Sequence, residues 1–143
     1  MAEMSKININ SKIFRAYDIR GKYPEEINES IVSEISVFLL KILKCENKKN
    51  KIVIGYDARL SSPKLYEVIK KQLTTNNRQL AIIPIGLSTT PMFYFLVNYF
   101  KADAGIMITA SHNPKEYNGL KIVGRNAIPI SGEEILRIMN NEL

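Results

Sequence analysis

Residues 102–123 read ADAGIMITASHNPKEYNGLKIV. The first nine are almost all apolar, with no polar alternation, which predicts a short strand covered on both faces. An Asn-Pro pair, Asn113 and Pro114, breaks the run. A second strand-forming stretch, residues 119–123, follows after about nine residues. That interval is too short for a helical crossover, so the second strand is expected to run antiparallel to the first. Ser111, His112 (the only histidine), Asn113 and Lys121 fall at or near the turn. Either they are the polar trim of a strand-end turn or they handle a charged ligand.

Outward from this stretch, β-rich runs alternate with helical patterns. KIVIGYD (51–57) and QLAIIPIG (79–86) read as two further buried strands. A helix is predicted from Asn28 or Ser30 to near Lys44, with Ile31, Ile35, Phe38, Leu39 and Ile42 on one face. Ser62-Pro63 and Thr90-Pro91 each give a cap-and-proline signal, opening helices through KLYEVIKKQL and MFYFLVNYF. Ser131 and Glu134 have capping-box spacing and start a last helix, GEEILRIMNNEL. Residues 13–21, IFRAYDIRG, are dense in charge and aromatics and read as irregular or briefly extended. Strands alternating with helices imply right-handed crossovers. The expected fold is α/β, a three-layer α/β/α sandwich on a four-stranded mixed sheet. That sheet is expected to be mostly parallel, with residues 119–123 as one antiparallel edge strand.

Composition narrows the function classes. At 143 residues, 45% apolar and 24% charged, the chain is one ordinary globular domain by size. Cys45 is the only cysteine, so an internal disulfide is excluded. No apolar run is long enough to span a bilayer, and MAEMSKININ lacks the apolar core of a signal peptide. A cytoplasmic protein with no membrane partner is expected. The net charge of +6 raises the question of nucleic acid, but the lysine cluster KCENKKNK (44–51) has no interleaved aromatics on which bases could stack. It reads as a solvated turn, and no nucleic-acid partner is expected. A modest basic excess equally suits a small phosphate ester.

Ligands of open α/β sheets collect beyond the carboxyl ends of the strands. Ser111 is expected on that rim, as are Asp57 and Arg59 after one strand and Ser88, Thr89 and Thr90 after another. A hydrolase pair of Ser111 and His112 is disfavoured. Adjacent residues of an extended chain point to opposite sides, and no G-x-S-x-G elbow surrounds the serine. On the residues alone, a polar turn satisfying its own amides stays open.

Three blocks, in order and spacing, resemble the α-D-phosphohexomutases, the phosphomannomutase and phosphoglucomutase superfamily. They are FRAYDIRGKYPEEI (14–27), GYDARLSSP (55–63) and TASHNP (109–114), the last continued by EYNGLKI (116–122). The first block has the form of the bacterial phosphomannomutase/phosphoglucomutase branch, and the match spans nearly the whole chain. The resemblance implies that residues 1–143 are domain I of a four-domain enzyme. It implies phosphoryl transfer between the 1- and 6-positions of a hexose phosphate through a phosphoserine and a hexose 1,6-bisphosphate. Mannose and glucose phosphates are the implied substrates, with a phosphoglucosamine mutase as an alternative.

The resemblance also distributes roles. It makes Ser111 the phosphoryl carrier, Lys121 the candidate general acid/base, and Arg20 a second such position that can grip phosphate. Tyr17 corresponds to an active-site residue near that arginine, with packing against the sheet as its plain alternative. His112 and Asn113 are implied to shape the loop and to hydrogen-bond the phosphoryl group. Mg²⁺ is the implied cofactor, held by the phosphate on Ser111 and by an Asp-Gly-Asp-x-Asp-Arg loop that this sequence lacks. The family's sugar-recognition and C-terminal phosphate-binding blocks are also missing. Domains II–IV are therefore the expected partners, and these residues alone are expected to be inactive. A rival reading is a small basic α/β binding module without chemistry. Under the multidomain reading, an apolar face should lie open either on the last helix, at Ile135, Leu136, Ile138, Met139 and Leu143, or on the rim near Ser111.

Overall fold

The computed structural model describes residues 9–40, 49–76 and 80–140. In chain order its elements are β1 (Ile19–Lys22), α1 (Glu29–Leu39), β2 (Asn50–Tyr56), α2 (Ser62–Asn76), β3 (Leu80–Leu87), α3 (Thr90–Tyr99), β4 (Ala104–Ile108), β5 (Tyr117–Gly124), β6 (Pro129–Ile130) and α4 (Gly132–Met139). Side chains satisfy the first free amides of three helices. Asn28 Oδ1 accepts from Ile31 N–H at 3.1 Å, Thr89 Oγ1 from Met92 N–H at 3.3 Å, and Ser131 Oγ from Glu134 N–H at 3.0 Å. Thr89 rather than Thr90 therefore caps α3. Ser62 is likewise the first residue of α2 rather than its cap. The predicted C-terminus of α1 near Lys44, and with it Ile42, Cys45 and most of the lysine cluster, lies outside the described residues.

The strands lie in the order β1-β5-β4-β2-β3, with β6 also pairing with β5. β2 pairs in parallel with β3 and β4, whereas β5 runs antiparallel to β4, β1 and β6. The antiparallel return of residues 119–123 is as expected, but three other expectations fail: the strand number, the edge position and a mostly parallel sheet. The sheet has six strands rather than four, and β5 is not at the edge. β1 covers the first part of β5 and β6 the second, so antiparallel pairings outnumber parallel ones among the described residues. Four-residue β1 is too short to show a period, and two-residue β6 carries none at all.

The close seat of β1 depends on Gly119, which stands opposite Arg20 in the ladder. A Cβ there would lie 1.9 Å from the Ile19 carbonyl oxygen. Any side chain at that position would push β1 away from β5.

Alternation along the strands sorts the core into two layers. Ile52 and Ile54 of β2, Ile106 and Ile108 of β4, and Leu120 and Ile122 of β5 meet α1, α2 and α4 on one face. Val53, Met107 and Val123 point the other way and pack with Phe93 and Val97 of α3. The helices thus cover both faces, as the apolar run at β4 requires. No helix among the described residues is long and apolar enough to cross a membrane.

α4 buries Ile135 and Ile138, with Leu136 and Met139 half-covered against the same core, so among the described residues the apolar face expected there is not open; Leu143 lies outside them. Exposed apolar side chains lie instead at the rim, on Tyr17 and Leu60, and along α3, on Met92, Phe95 and Tyr99.

One charged group on α1 gives the fold a pH dependence. Glu34 Oε2 is buried with no hydrogen-bond partner among the described residues, and burial raises the carboxyl pKa above its ordinary value. The native state then holds the proton more tightly than the unfolded chain. Stability from this group is present below the ordinary carboxylate range and is lost as pH rises through the raised value. Glu34→Gln should therefore raise the melting temperature at pH 7. Its advantage should shrink to nothing as pH falls below the ordinary carboxylate range. Calorimetry of both proteins across that range checks the sign, and a variant less stable than wild type at pH 7 contradicts it.

Candidate functional site

The parallel strands β2, β3 and β4 all end at one edge of the sheet, and the antiparallel start of β5 returns there. At that edge the chain turns through residues 109–116. Ser111 takes a left-handed backbone conformation, φ 55°, which is uncommon for a residue with a side chain and costs about 1 kcal/mol or more. Its N–H donates to Thr109 Oγ1 at 2.9 Å, and Asn113 N–H donates to the Ala110 carbonyl at 3.1 Å.

The tight turn directs several carbonyls toward one point, and Arg59 occupies it. Arg59 Nη2 donates to the carbonyls of Ser111 at 2.8 Å and Asn113 at 2.7 Å, and Nη1 to those of Pro114 at 2.7 Å and Tyr117 at 3.1 Å. Its Nε faces Asp57 Oδ2 at 3.4 Å. Asp57 Oδ1 in turn accepts from the Arg59 amide and from Ser62 Oγ. Buried Asn118, at the start of β5, donates to Ser61 Oγ and Ser62 Oγ and ties that strand to the start of α2.

On the other side of the serine loop stands β1. A tight turn over residues 14–19, closed by Arg15 N–H on the Asp18 carbonyl, points Tyr17 outward and Asp18 inward. Tyr17 is 79% exposed, so packing against the sheet is not its role. Asp18, 4% exposed, accepts from Arg20 Nε and lies 3.9 Å from Lys121 Nζ. Arg20 Nη1 donates to Asn113 Oδ1 at 2.6 Å, which joins β1 to the serine loop.

The structure therefore brings Ser111, Asn113, Arg20 and Lys121 to one rim, linked through Asp18. His112 is exposed on the same loop, and none of the described residues hydrogen-bonds its ring. Asp57, Ala58, Arg59, Leu60, Ser111, Asn113 and Lys115 line a shallow open depression beside the serine. Ser88 and Thr89 are not part of it: Ser88 N–H extends the sheet to the Tyr56 carbonyl, and Thr89 caps α3.

Asp18 went unrecognised in the sequence, although its two-residue spacing from Arg20 on an extended segment places both on one side. The partners of Arg59 have no sequence signal, because they are backbone carbonyls more than fifty positions away.

Electrostatically the rim is cationic. Arg20, Arg59, Lys115 and Lys121 lie on this rim, and Asp18 and Asp57 are each committed to neighbours. Among the described residues no group of three or more His, Cys, Asp or Glu side chains could hold a metal ion. With Asp18 and Asp57 engaged by cations and hydroxyls, the rim does not fit a Mg²⁺ site on its own. Such a surface suits an anionic, phosphate-bearing ligand.

Comparison with known proteins agrees. A family model for phosphoglucomutase/phosphomannomutase, alpha/beta/alpha domain I, matches residues 11–142. The chain is 43% identical over 120 residues to a relative named phosphohexose mutases from Xanthomonas campestris pv. campestris strain B100. That match covers 84% of this chain and 25% of the relative. It is 44% identical over 124 residues to a phosphomannomutase of Klebsiella pneumoniae, covering 87% of this chain and 75% of that protein. A crystal structure of a phosphoglucomutase/phosphomannomutase family protein from Burkholderia thailandensis superposes with a TM-score of 0.75 at 26% identity, over 95% of this chain and 31% of the other. The chain thus spans about a quarter of the length of the Xanthomonas relative.

Asp18 holds two cations at once, so its removal leaves both without their shared anion. Asp18→Asn should lower unfolding stability by about 2 kcal/mol, since charge-assisted bonds to a buried carboxylate are lost. Urea denaturation measures this, and a variant as stable as wild type would show that Asp18 does not anchor the rim.

Proposed function

Because the chain belongs to the phosphoglucomutase/phosphomannomutase family, as an alpha/beta/alpha domain I, we propose that it is the serine-bearing domain of a phosphohexomutase. In this reading Ser111 carries a phosphoryl group and exchanges it with a hexose 1- or 6-phosphate, of mannose or glucose, by way of a hexose 1,6-bisphosphate. Residues 1–143 act as one domain of a larger enzyme, whose other domains bind and orient the sugar.

The observation that carries this reading is the seat of Ser111. It stands on a turn held by Arg59 and joined to Arg20 through Asn113, with Lys121 on the same rim and Asp18 and Asp57 already engaged. A transferring phosphoryl group bears charge on its equatorial oxygens, and a ring of cations stabilises it. Arg20 keeps Nη2 without a partner among the described residues, so its guanidinium has donors left for phosphate. Asn113 is oriented by Arg20, and exposed His112 joins it in hydrogen-bonding the phosphoryl group.

In the forward half-reaction a sugar hydroxyl oxygen attacks phosphorus. The new sugar O–P bond forms as the bond to Ser111 Oγ breaks. The hydroxyl proton passes to a base while water supplies the proton that the departing Ser111 Oγ gains, so charge and protons balance. Lys121, which the resemblance places in this acid/base role, takes the proton as the neutral amine in one direction and returns it as the ammonium in the other. Tyr17, exposed on the rim, contacts the sugar. A phosphate on Ser111 would be this chain's contribution to holding Mg²⁺, the remaining ligands being those the resemblance assigns to another domain, and the ion would add charge neutralisation.

Ser111→Ala removes the only group that can carry the phosphoryl, while one hydroxyl on a surface turn adds little packing. In an enzyme of full family length, mutase turnover should fall by at least about a thousandfold with the fold unchanged. The isolated 143 residues should show none, because the domains that orient the sugar are missing. Coupled assays on mannose 1-phosphate and glucose 1-phosphate decide it. Wild-type-like turnover in the alanine variant would sink the assignment.

A further inference from the structure

We propose that Arg59 is a positioning residue that sets the backbone of the Ser111 loop, and that it is not a phosphate ligand. The inference rests on Ser111 being the phosphoryl carrier. It goes further by assigning the nearest arginine a role that does not touch substrate.

Sequence reasoning places Arg59 on the rim, where a guanidinium would ordinarily be read as an anion-binding group. The geometry points elsewhere. Its terminal nitrogens donate to four loop carbonyls, those of Ser111, Asn113, Pro114 and Tyr117, at 2.7–3.1 Å. Its Nε is turned to Asp57. Both terminal nitrogens and Nε therefore face groups of this chain, and the side chain is only 13% exposed. A phosphate oxygen would have to displace one of these carbonyls to be bound.

The loop needs such a clamp. Ser111 is left-handed at φ 55°, and only two backbone bonds, Asn113 N–H to the Ala110 carbonyl and Tyr117 N–H to the Pro114 carbonyl, close the turn from within. The forked cation satisfies the four carbonyls in pairs, that of Pro114 alongside the Tyr117 amide. Asp57 holds the fork from behind and is itself held by Ser62. The chain Ser62–Asp57–Arg59 thus transmits the rigid start of α2 to the serine. Lysine cannot replace this, because one ammonium nitrogen has no fork to span both pairs.

The experiment uses Arg59→Lys, with Arg59→Ala as its companion. Backbone hydrogen exchange of Asn113 and Tyr117 should accelerate about tenfold or more in Arg59→Lys, because charge-assisted bonds that hold the loop are lost. The amides of Ile54 and Ile106, deep in β2 and β4, should be unchanged. Millimolar guanidinium should restore loop protection in Arg59→Ala, and methylammonium should not. In the enzyme of full family length, kcat should fall about a hundredfold in Arg59→Lys, the effect of misplacing a reacting atom. KM for hexose phosphate should move less than about threefold, since no substrate contact is lost.

Unchanged exchange at Asn113 and Tyr117 overturns the proposal. So does a large rise in KM with kcat preserved, which would make Arg59 a substrate ligand after all. If the wild-type enzyme itself has no mutase turnover, the proposed function fails. The exchange measurement still decides the role of Arg59. Arg59→Lys keeps the charge, so a folding failure confined to Arg59→Ala leaves the test intact.

Discussion

β5 returns antiparallel to β4 after only the residues between Ile108 and Tyr117. That short return is the constraint on which the site depends. A longer connection could have drifted over the surface and satisfied its polar groups with water. This one must reverse at once, and it does so with a left-handed serine and a set of carbonyls pointing inward. The guanidinium of Arg59 answers that geometry, and Asp57 and Ser62 answer Arg59. The rigidity of the rim is a consequence of how the backbone polar groups of one turn are satisfied.

The same return also positions the cations. β5 carries Lys121 along the sheet, and Gly119, bare of side chain, admits β1 close enough to bring Arg20 beside it. Asp18 then lies between Arg20 and Lys121, in a buried position where an anion without partners would be costly. Its charge is matched inside the protein, so the rim keeps a net positive character for a ligand to meet. Arg20 bonds to Asn113, which makes the serine loop and β1 one body. A phosphoryl group on Ser111 would therefore meet a frame already assembled, with little reorganisation needed at the moment of transfer.

Much of this was legible in the sequence where a period or a cap announced it. The nearly all-apolar run at residues 102–110 gave away a doubly covered strand, which forms over Ala104–Ile108. The short interval after it foretold the antiparallel partner. Asn28 and Ser131 announced helix starts through their own side chains. Thr89 was missed by one position, because adjacent threonines make the cap ambiguous until a bond selects one. β1 and β6 were missed because two to four residues show no alternation, and their pairing is decided by what lies across from them. Counting them would have moved β5 from the edge to the interior. Of the rim, Ser111, Arg20, Lys121 and Asn113 were legible as residues in recognisable blocks. Asp18 and the clamp by Arg59 were not, because their partners are assembled by tertiary folding. Of the two places expected for an open apolar face, the rim carries one at Tyr17 and Leu60, whereas Leu136 and Met139 of α4 pack half-covered against the main core; α3 exposes Phe95 and Tyr99 as well.

The account turns on whether Ser111 is the group that bears the phosphoryl. The most direct measurement is intact-mass analysis of this chain after incubation with glucose 1,6-bisphosphate or mannose 1,6-bisphosphate, followed by peptide mapping. The account predicts a single added phosphoryl group located on Ser111, and none in Ser111→Ala. A phosphoryl group found on His112 or on another hydroxyl, or retained in the alanine variant, would contradict it.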